Sequence, residues 1–61
     1  MRFSWGDSVR VKDEAPAELR PGDIGDVVAI TGDGAEVLYT IEFGDGTDTQ
    51  IAEYLLDPFV A

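Results

Sequence analysis

The groups able to do chemistry in this sequence are almost all carboxylates. Thirteen Asp and Glu stand against four Lys and Arg, with no His and no Cys, giving a net charge of −9. Without imidazole or thiolate there is no Cys/His zinc site, no histidine general base and no cysteine nucleophile. Ser4 and Ser8 have no histidine to activate them, and Lys12 is the only lysine. So many acids make some adjacent pair inevitable. A working acid and base also need a partner group and a cleft that excludes water, which a chain of 61 residues rarely builds. The expectation is therefore a protein that is not an enzyme and uses no cofactor.

Two short stretches invite a ligand reading. Gly22-Asp23-Ile24-Gly25-Asp26 is glycine-rich, but phosphate loops lead into a helix N-terminus. This stretch leads into Val27-Val28-Ala29-Ile30, which is strand-like, and it carries two carboxylates and no lysine. It reads as a turn followed by a bulge, or by a close approach of another backbone at Gly25. Asp45-Gly46-Thr47-Asp48 has the residue types of a calcium loop. Such a loop needs six or more oxygens and a bidentate acid at its twelfth position, which here is Leu56. It reads as a hairpin turn, and no metal site is expected.

The acidic balance points to what the surface meets. It repels nucleic-acid backbones and anionic lipids, and it favours either a basic protein partner or none, the acids then serving solubility alone. Candidate contact residues are Trp5, Leu38 and Tyr54, which would form an exposed apolar patch, and Glu14 and Glu18 on an acidic segment. Trp5 has a second reading, as a cap on an open end of the fold.

These residues have to be placed by short strands. Ser8-Val9-Arg10-Val11-Lys12 alternates, with Val9 and Val11 on one face. Arg10 and Lys12 share the other face and are expected to pair with acids such as Asp26 or Glu42. Asp13 to Gly22, with Pro16 and Pro21, reads as a long loop with one helical turn at Ala17-Glu18-Leu19. Pro21-Gly22 is a turn, after which Asp23 is expected to accept backbone amides. Val27 to Ile30 is a strand apolar on both faces, and Thr31-Gly32-Asp33-Gly34-Ala35 a hairpin connection. Glu36 to Phe43 is the clearest strand, with Val37, Tyr39, Ile41 and Phe43 on one face. Gly44-Asp45-Gly46 turns into a strand over Thr47 to Ala52. Glu53-Tyr54-Leu55-Leu56 suits a 3₁₀ turn. Leu56 to Phe59 ends the chain as a short last strand at an edge or a seam, since Pro58 cannot donate to a ladder. The expected core is Val9, Val11, Ile24, Val27, Val28, Ile30, Val37, Tyr39, Ile41, Phe43, Ile51, Tyr54, Leu55, Leu56 and Phe59. There is no repeat and no linker, and a chain this short supports one domain with about 3–5 kcal/mol of stability.

This order of elements resembles an SH3-like five-stranded barrel with a long first loop and one 3₁₀ turn before the last strand. Gly6-Asp7-Ser8-Val9-Arg10-Val11, Gly22-Asp23-Ile24-Gly25-Asp26-Val27-Val28, Tyr39-Thr40-Ile41-Glu42-Phe43 and Glu53-Tyr54-Leu55-Leu56-Asp57-Pro58 are similar to the strand signatures of such barrels. Relatives of the pattern include the C-terminal barrel of nitrile hydratase β subunits, the small ferredoxin-docking barrel of photosystem I, and short bacterial barrel-only proteins of unknown function. The last look most similar, being of this length. The photosystem I barrel docks an acidic ferredoxin through basic residues that this acidic chain lacks. The nitrile hydratase barrel works beside a metal-bearing subunit, and no metal motif exists here. The aromatics that line a proline-peptide groove are missing from Asp13–Gly22.

The resemblance and the charge together imply a small non-catalytic protein-binding module, monomeric or a weak homodimer. The alternative is an acidic immunity or antitoxin-like protein that neutralises a basic partner. No apolar run reaches the ~18–20 residues of a membrane helix, and the first residues lack a secretory pattern. The absence of cysteine fits a reducing compartment, so the expected location is cytoplasmic.

Overall fold

Alternating apolar residues and glycine-marked turns yield five strands: β1 (Ser8–Val11), β2 (Ile24–Asp33), β3 (Glu36–Phe43), β4 (Asp48–Ala52) and β5 (Leu56–Pro58). Two 3₁₀ turns intervene, at Ala17–Leu19 and Glu53–Leu55. The computed structural model describes residues 2–33 and 36–60. All pairings are antiparallel and form one sheet in the order β4-β3-β2-β1-β5. The result is a small barrel-like all-β fold with a 3₁₀ turn directly before the last strand. β2 organises it: Ile24 to Asp26 pair with β1, while Gly25 to Asp33 pair with β3.

The core consists of Phe3, Val9, Val11, Ala15, Val27, Tyr39, Ile41, Phe43, Ile51, Leu55 and Leu56, with Leu19, Ile30 and Val37 packed against it. Four expected members are not in it: Ile24, Val28, Tyr54 and Phe59. Ile24, Tyr54 and Phe59 are exposed. Ile24 stands opposite Arg10, so strand parity turns it to the outer face. Tyr54 is the middle residue of a 3₁₀ turn whose inward position is taken by Leu55. Phe59 lies beyond the last strand residue, Pro58. Val28 is half-buried and Ala29 exposed, so β2 is not covered on both faces.

Phe3 is buried in the core, whereas Trp5, the candidate cap, is exposed. The Phe3 ring meets the Tyr39 ring edge-on at 5.4 Å. Its amide donates to the Tyr39 hydroxyl at 3.2 Å, which donates in turn to Glu53 Oε2 at 2.6 Å. The Arg2 amide reaches the same carboxylate oxygen at 3.0 Å. Burial first, and then the carboxylate it donates to, raise the Tyr39 hydroxyl above the usual tyrosine range. The Tyr39 hydroxyl and the Arg2 amide hold Glu53 below the usual carboxylate range.

The register shift in β2 falls between Val27 and Ala29, so the bulge is at Val28 rather than Gly25. Gly25 instead marks a close approach: a Cβ there would stand 2.6 Å from the Glu42 carbonyl oxygen. β2 also runs through Thr31, Gly32 and Asp33, pairing Gly32 with Val37 and Asp33 with Glu36, where a longer connection was expected. Gly34 and Ala35 of that hairpin lie outside the described residues.

Candidate functional site

Arg20 ties the long loop between β1 and β2 to the rest of the fold, beside the packing of Ala15 and Leu19 on the core. Arg20 ends the first 3₁₀ turn in the left-handed region, at φ 63°. Its Nε donates to Asp23 at 2.7 Å, and its Nη1 reaches both Asp45 oxygens at 3.0 Å and the Thr47 hydroxyl at 2.7 Å. The guanidinium also lies 4.3 Å from the centre of the Phe43 ring. One cation thus binds the loop to the β3–β4 hairpin. The Thr47 hydroxyl and amide, then Arg20, bring the Asp45 carboxyl down to about 2. Asp23 accepts from Arg20 rather than from the backbone amides expected of it. The Asp45–Asp48 stretch turns the hairpin, with the Gly46 amide bonded to the Phe43 carbonyl at 3.0 Å, and its carboxylate is occupied internally by Arg20. Gly22, at φ 89°, turns the chain into a strand and not into a helix, so the turn reading of Gly22–Asp26 stands.

The other cations are committed as well, though not to the acids expected. Arg10 pairs with Asp13 at 2.8 Å and Lys12 with Asp57 at 3.7 Å. Arg2 donates to the Leu56 carbonyl at 3.2 Å. Asp26 instead accepts the Ser8 hydroxyl at 3.0 Å. Register then aligns Asp26, Glu42 and Asp48 side by side on β2, β3 and β4, on the outer face of the sheet. Among the described residues no ion pair reaches any of the three.

Leu38 and Tyr54 are brought together. They line a groove of about 280 Å³ with Glu36, Val37, Ala52 and Glu53. The groove exists because β4 ends at Ala52, opposite Leu38, and the chain then coils into the 3₁₀ turn. Tyr54 is 73% exposed at its rim. Trp5 is also open, at 74%, but it does not line this groove. Its indole N–H donates to the carbonyl of Val28, the bulged residue, at 3.0 Å. Trp5 sits at a tight turn in which Gly6 takes φ 90° and the Ser4 amide bonds Asp7 at 2.9 Å. The ring is therefore an outward marker fixed to the bulge. Glu14 and Glu18 are exposed on the long loop, away from the groove lining.

Sequence reasoning named Leu38 and Tyr54 but missed Glu36, Val37, Ala52 and Glu53 as their neighbours. It also missed Arg20, whose partner Asp45 lies 25 residues away with no local signal. Chemically, the groove offers apolar side chains, an open tyrosine and two carboxylates. Among the described residues no group of three or more acids is placed to hold a metal ion, and no helix is long and apolar enough to cross a membrane. Comparison with family models, curated proteins and solved structures finds no match to this chain.

Proposed function

We propose that this chain is a small, non-catalytic, SH3-like protein-binding module that docks a basic partner through the groove between Leu38 and Tyr54. The observation that carries the reading is an apolar groove rimmed by Glu36 and Glu53 on a chain of net charge −9. A second copy or a nucleic acid would bring like charge to that rim, whereas a basic protein is attracted to it. The strand order and the 3₁₀ turn before β5 support the SH3-like assignment. The commitment of the cations to internal partners supports a binding role over catalysis. The same reading makes the chain a cytoplasmic monomer, on its cysteine-free composition and self-repelling charge.

The uncompensated row of Asp26, Glu42 and Asp48 favours a second reading, a neutraliser of a basic toxin whose encounter is steered by charge. One experiment addresses both. A partner captured by the wild type is purified, and its association is timed against salt with wild type, Tyr54→Ala and Asp26→Asn/Glu42→Gln/Asp48→Asn. The docking reading requires a faster dissociation with Tyr54→Ala. The neutraliser reading requires the association rate to fall steeply with salt and with loss of the acid row. Unchanged rates in both variants refute the two together.

A further inference from the structure

Asp45-Gly46-Thr47-Asp48 turns the β3–β4 hairpin and takes no part in the docking groove. It carries a reactive pair. In an Asp-Gly peptide the glycine amide nitrogen can attack the side-chain carboxyl carbon of the aspartate, because no Cβ on the glycine hinders the approach. A nitrogen–carbon bond forms, the amide proton passes to solvent and the carboxyl hydroxyl leaves as water, which gives a cyclic succinimide. Water then opens the ring at either carbonyl. One opening restores aspartate. The other breaks the original main-chain bond and leaves isoaspartate, with the chain running through the side-chain carbon. The protonated carboxyl loses water readily, whereas the ionised carboxylate reacts slowly.

The surroundings do not shield this pair. Asp45 and Gly46 are exposed, and a Cβ added at Gly46 would meet nothing within 4 Å. Hydrogen bonding restrains it instead. Asp45 Oδ1 accepts the Thr47 amide at 3.1 Å and the Thr47 hydroxyl at 2.7 Å. Arg20 Nη1 reaches both carboxylate oxygens at 3.0 Å. The carboxylate is thus committed to the amide one residue beyond the one it would have to meet. The Gly46 amide is itself engaged, on the Phe43 carbonyl at 3.0 Å. The Thr47 hydroxyl and amide, and then Arg20, also keep the carboxyl in the ionised form that reacts slowly.

We infer that Asp45–Gly46 is a latent site of succinimide and isoaspartate formation, and that Thr47 and Arg20 suppress the reaction by binding the Asp45 carboxylate. Ring closure would consume that carboxylate, so Arg20 would lose its ion pair to the hairpin. Isoaspartate would in addition lengthen the β3–β4 connection by one backbone carbon.

The test is ageing of the folded protein in mildly acidic buffer, with succinimide and isoaspartate at Asp45 followed by peptide mapping and mass spectrometry. Mapping separates Asp45 from the other Asp-Gly pair, Asp33-Gly34. The references are a free peptide spanning Phe43 to Thr49 and two variants. Thr47→Val keeps the shape of an exposed side chain and removes the hydroxyl, and Arg20→Gln removes the cation. Wild type should convert far more slowly than the peptide. Each variant should convert roughly tenfold faster than wild type, the change in protonated fraction expected when a neighbouring donor or cation is lost. Circular dichroism establishes that each variant is folded, and if Arg20→Gln unfolds, Thr47→Val decides. Wild type converting as fast as the peptide overturns the inference. A folded variant of either kind that converts at the wild-type rate overturns it as well.

Discussion

Gly25→Ala adds one methyl group at a point where β2 and β3 are packed closely. Its Cβ would stand 2.6 Å from both the Glu42 carbonyl oxygen and Ile41 Cγ2, and 3.2 Å from the Glu42 carbonyl carbon, whereas ordinary contact begins near 3.4 Å. A backbone carbonyl cannot swing aside as a lysine tip would, so the ladder must open around the Gly25–Phe43 pair. Phe43 and Ile41 are core residues, and the strain spreads into them. Overpacking of this kind costs about 1–3 kcal/mol. Against a total of ~3–5 kcal/mol for a domain this small, that is a large share. At about 4–8 °C per kcal/mol, the melting temperature should fall by roughly 5–20 °C. The assay is a thermal melt followed by far-UV circular dichroism, with Gly44→Ala as control. A Cβ at Gly44 meets nothing within 4 Å, and its φ is not positive. That variant should match or slightly exceed wild type, since alanine restricts the unfolded chain more than glycine does. Gly25→Ala melting at or above the wild-type temperature would refute the close-approach argument.

Tyr39→Phe removes the hydroxyl that accepts the Phe3 amide and donates to Glu53, and should destabilise by about 1–3 kcal/mol in urea titrations. A loss under ~0.5 kcal/mol would show that water replaces it. The Asp45 carboxyl is lowered from 3.8 to about 2 in the fold, so its stabilising effect is complete above about pH 4 and is lost as pH falls through about 2. Melting curves of wild type and Asp45→Asn should therefore converge over that window and stay apart above it. Parallel curves down to pH 2 would contradict a stabilising role for the Asp45 contacts with Thr47 and Arg20. Trp5 is the only tryptophan, so its fluorescence reports one site. Emission should be red-shifted and readily quenched by acrylamide, and Trp5→Phe should change stability by no more than about 0.5 kcal/mol. A shielded, blue-shifted signal would mean that the ring is buried.

Several features could be read from local sequence because local stereochemistry specifies them. Glu36 to Phe43 alternates so regularly that its inward face was evident, and Tyr39, Ile41 and Phe43 are buried as that pattern requires. The Ala17–Leu19 and Glu53–Leu55 turns came from short runs too brief for a helix. Pro58 pointed to an edge or a seam, and β5 is an edge. Apolar character alone did not settle which side of a strand or turn faces inward. Ile24 and Tyr54 are as apolar as their buried neighbours, yet parity and the 3₁₀ geometry turn them outward. Phe3 lies outside any strand, so no period marked it as a core residue.

For the candidate site the division is sharper. The chain's own residues determined the chemistry on offer: carboxylates without imidazole or thiol, few cations and a handful of aromatics, because composition limits what any fold can present. Tertiary structure alone decided which of those residues meet. Arg20 finds Asp45 across the molecule, Trp5 is pinned to the bulge at Val28, and Leu38 joins Tyr54 only because β4 stops two residues short of the start of β3. Strand ends and register arise from the fit of the whole sheet, and no short stretch of residues encodes them.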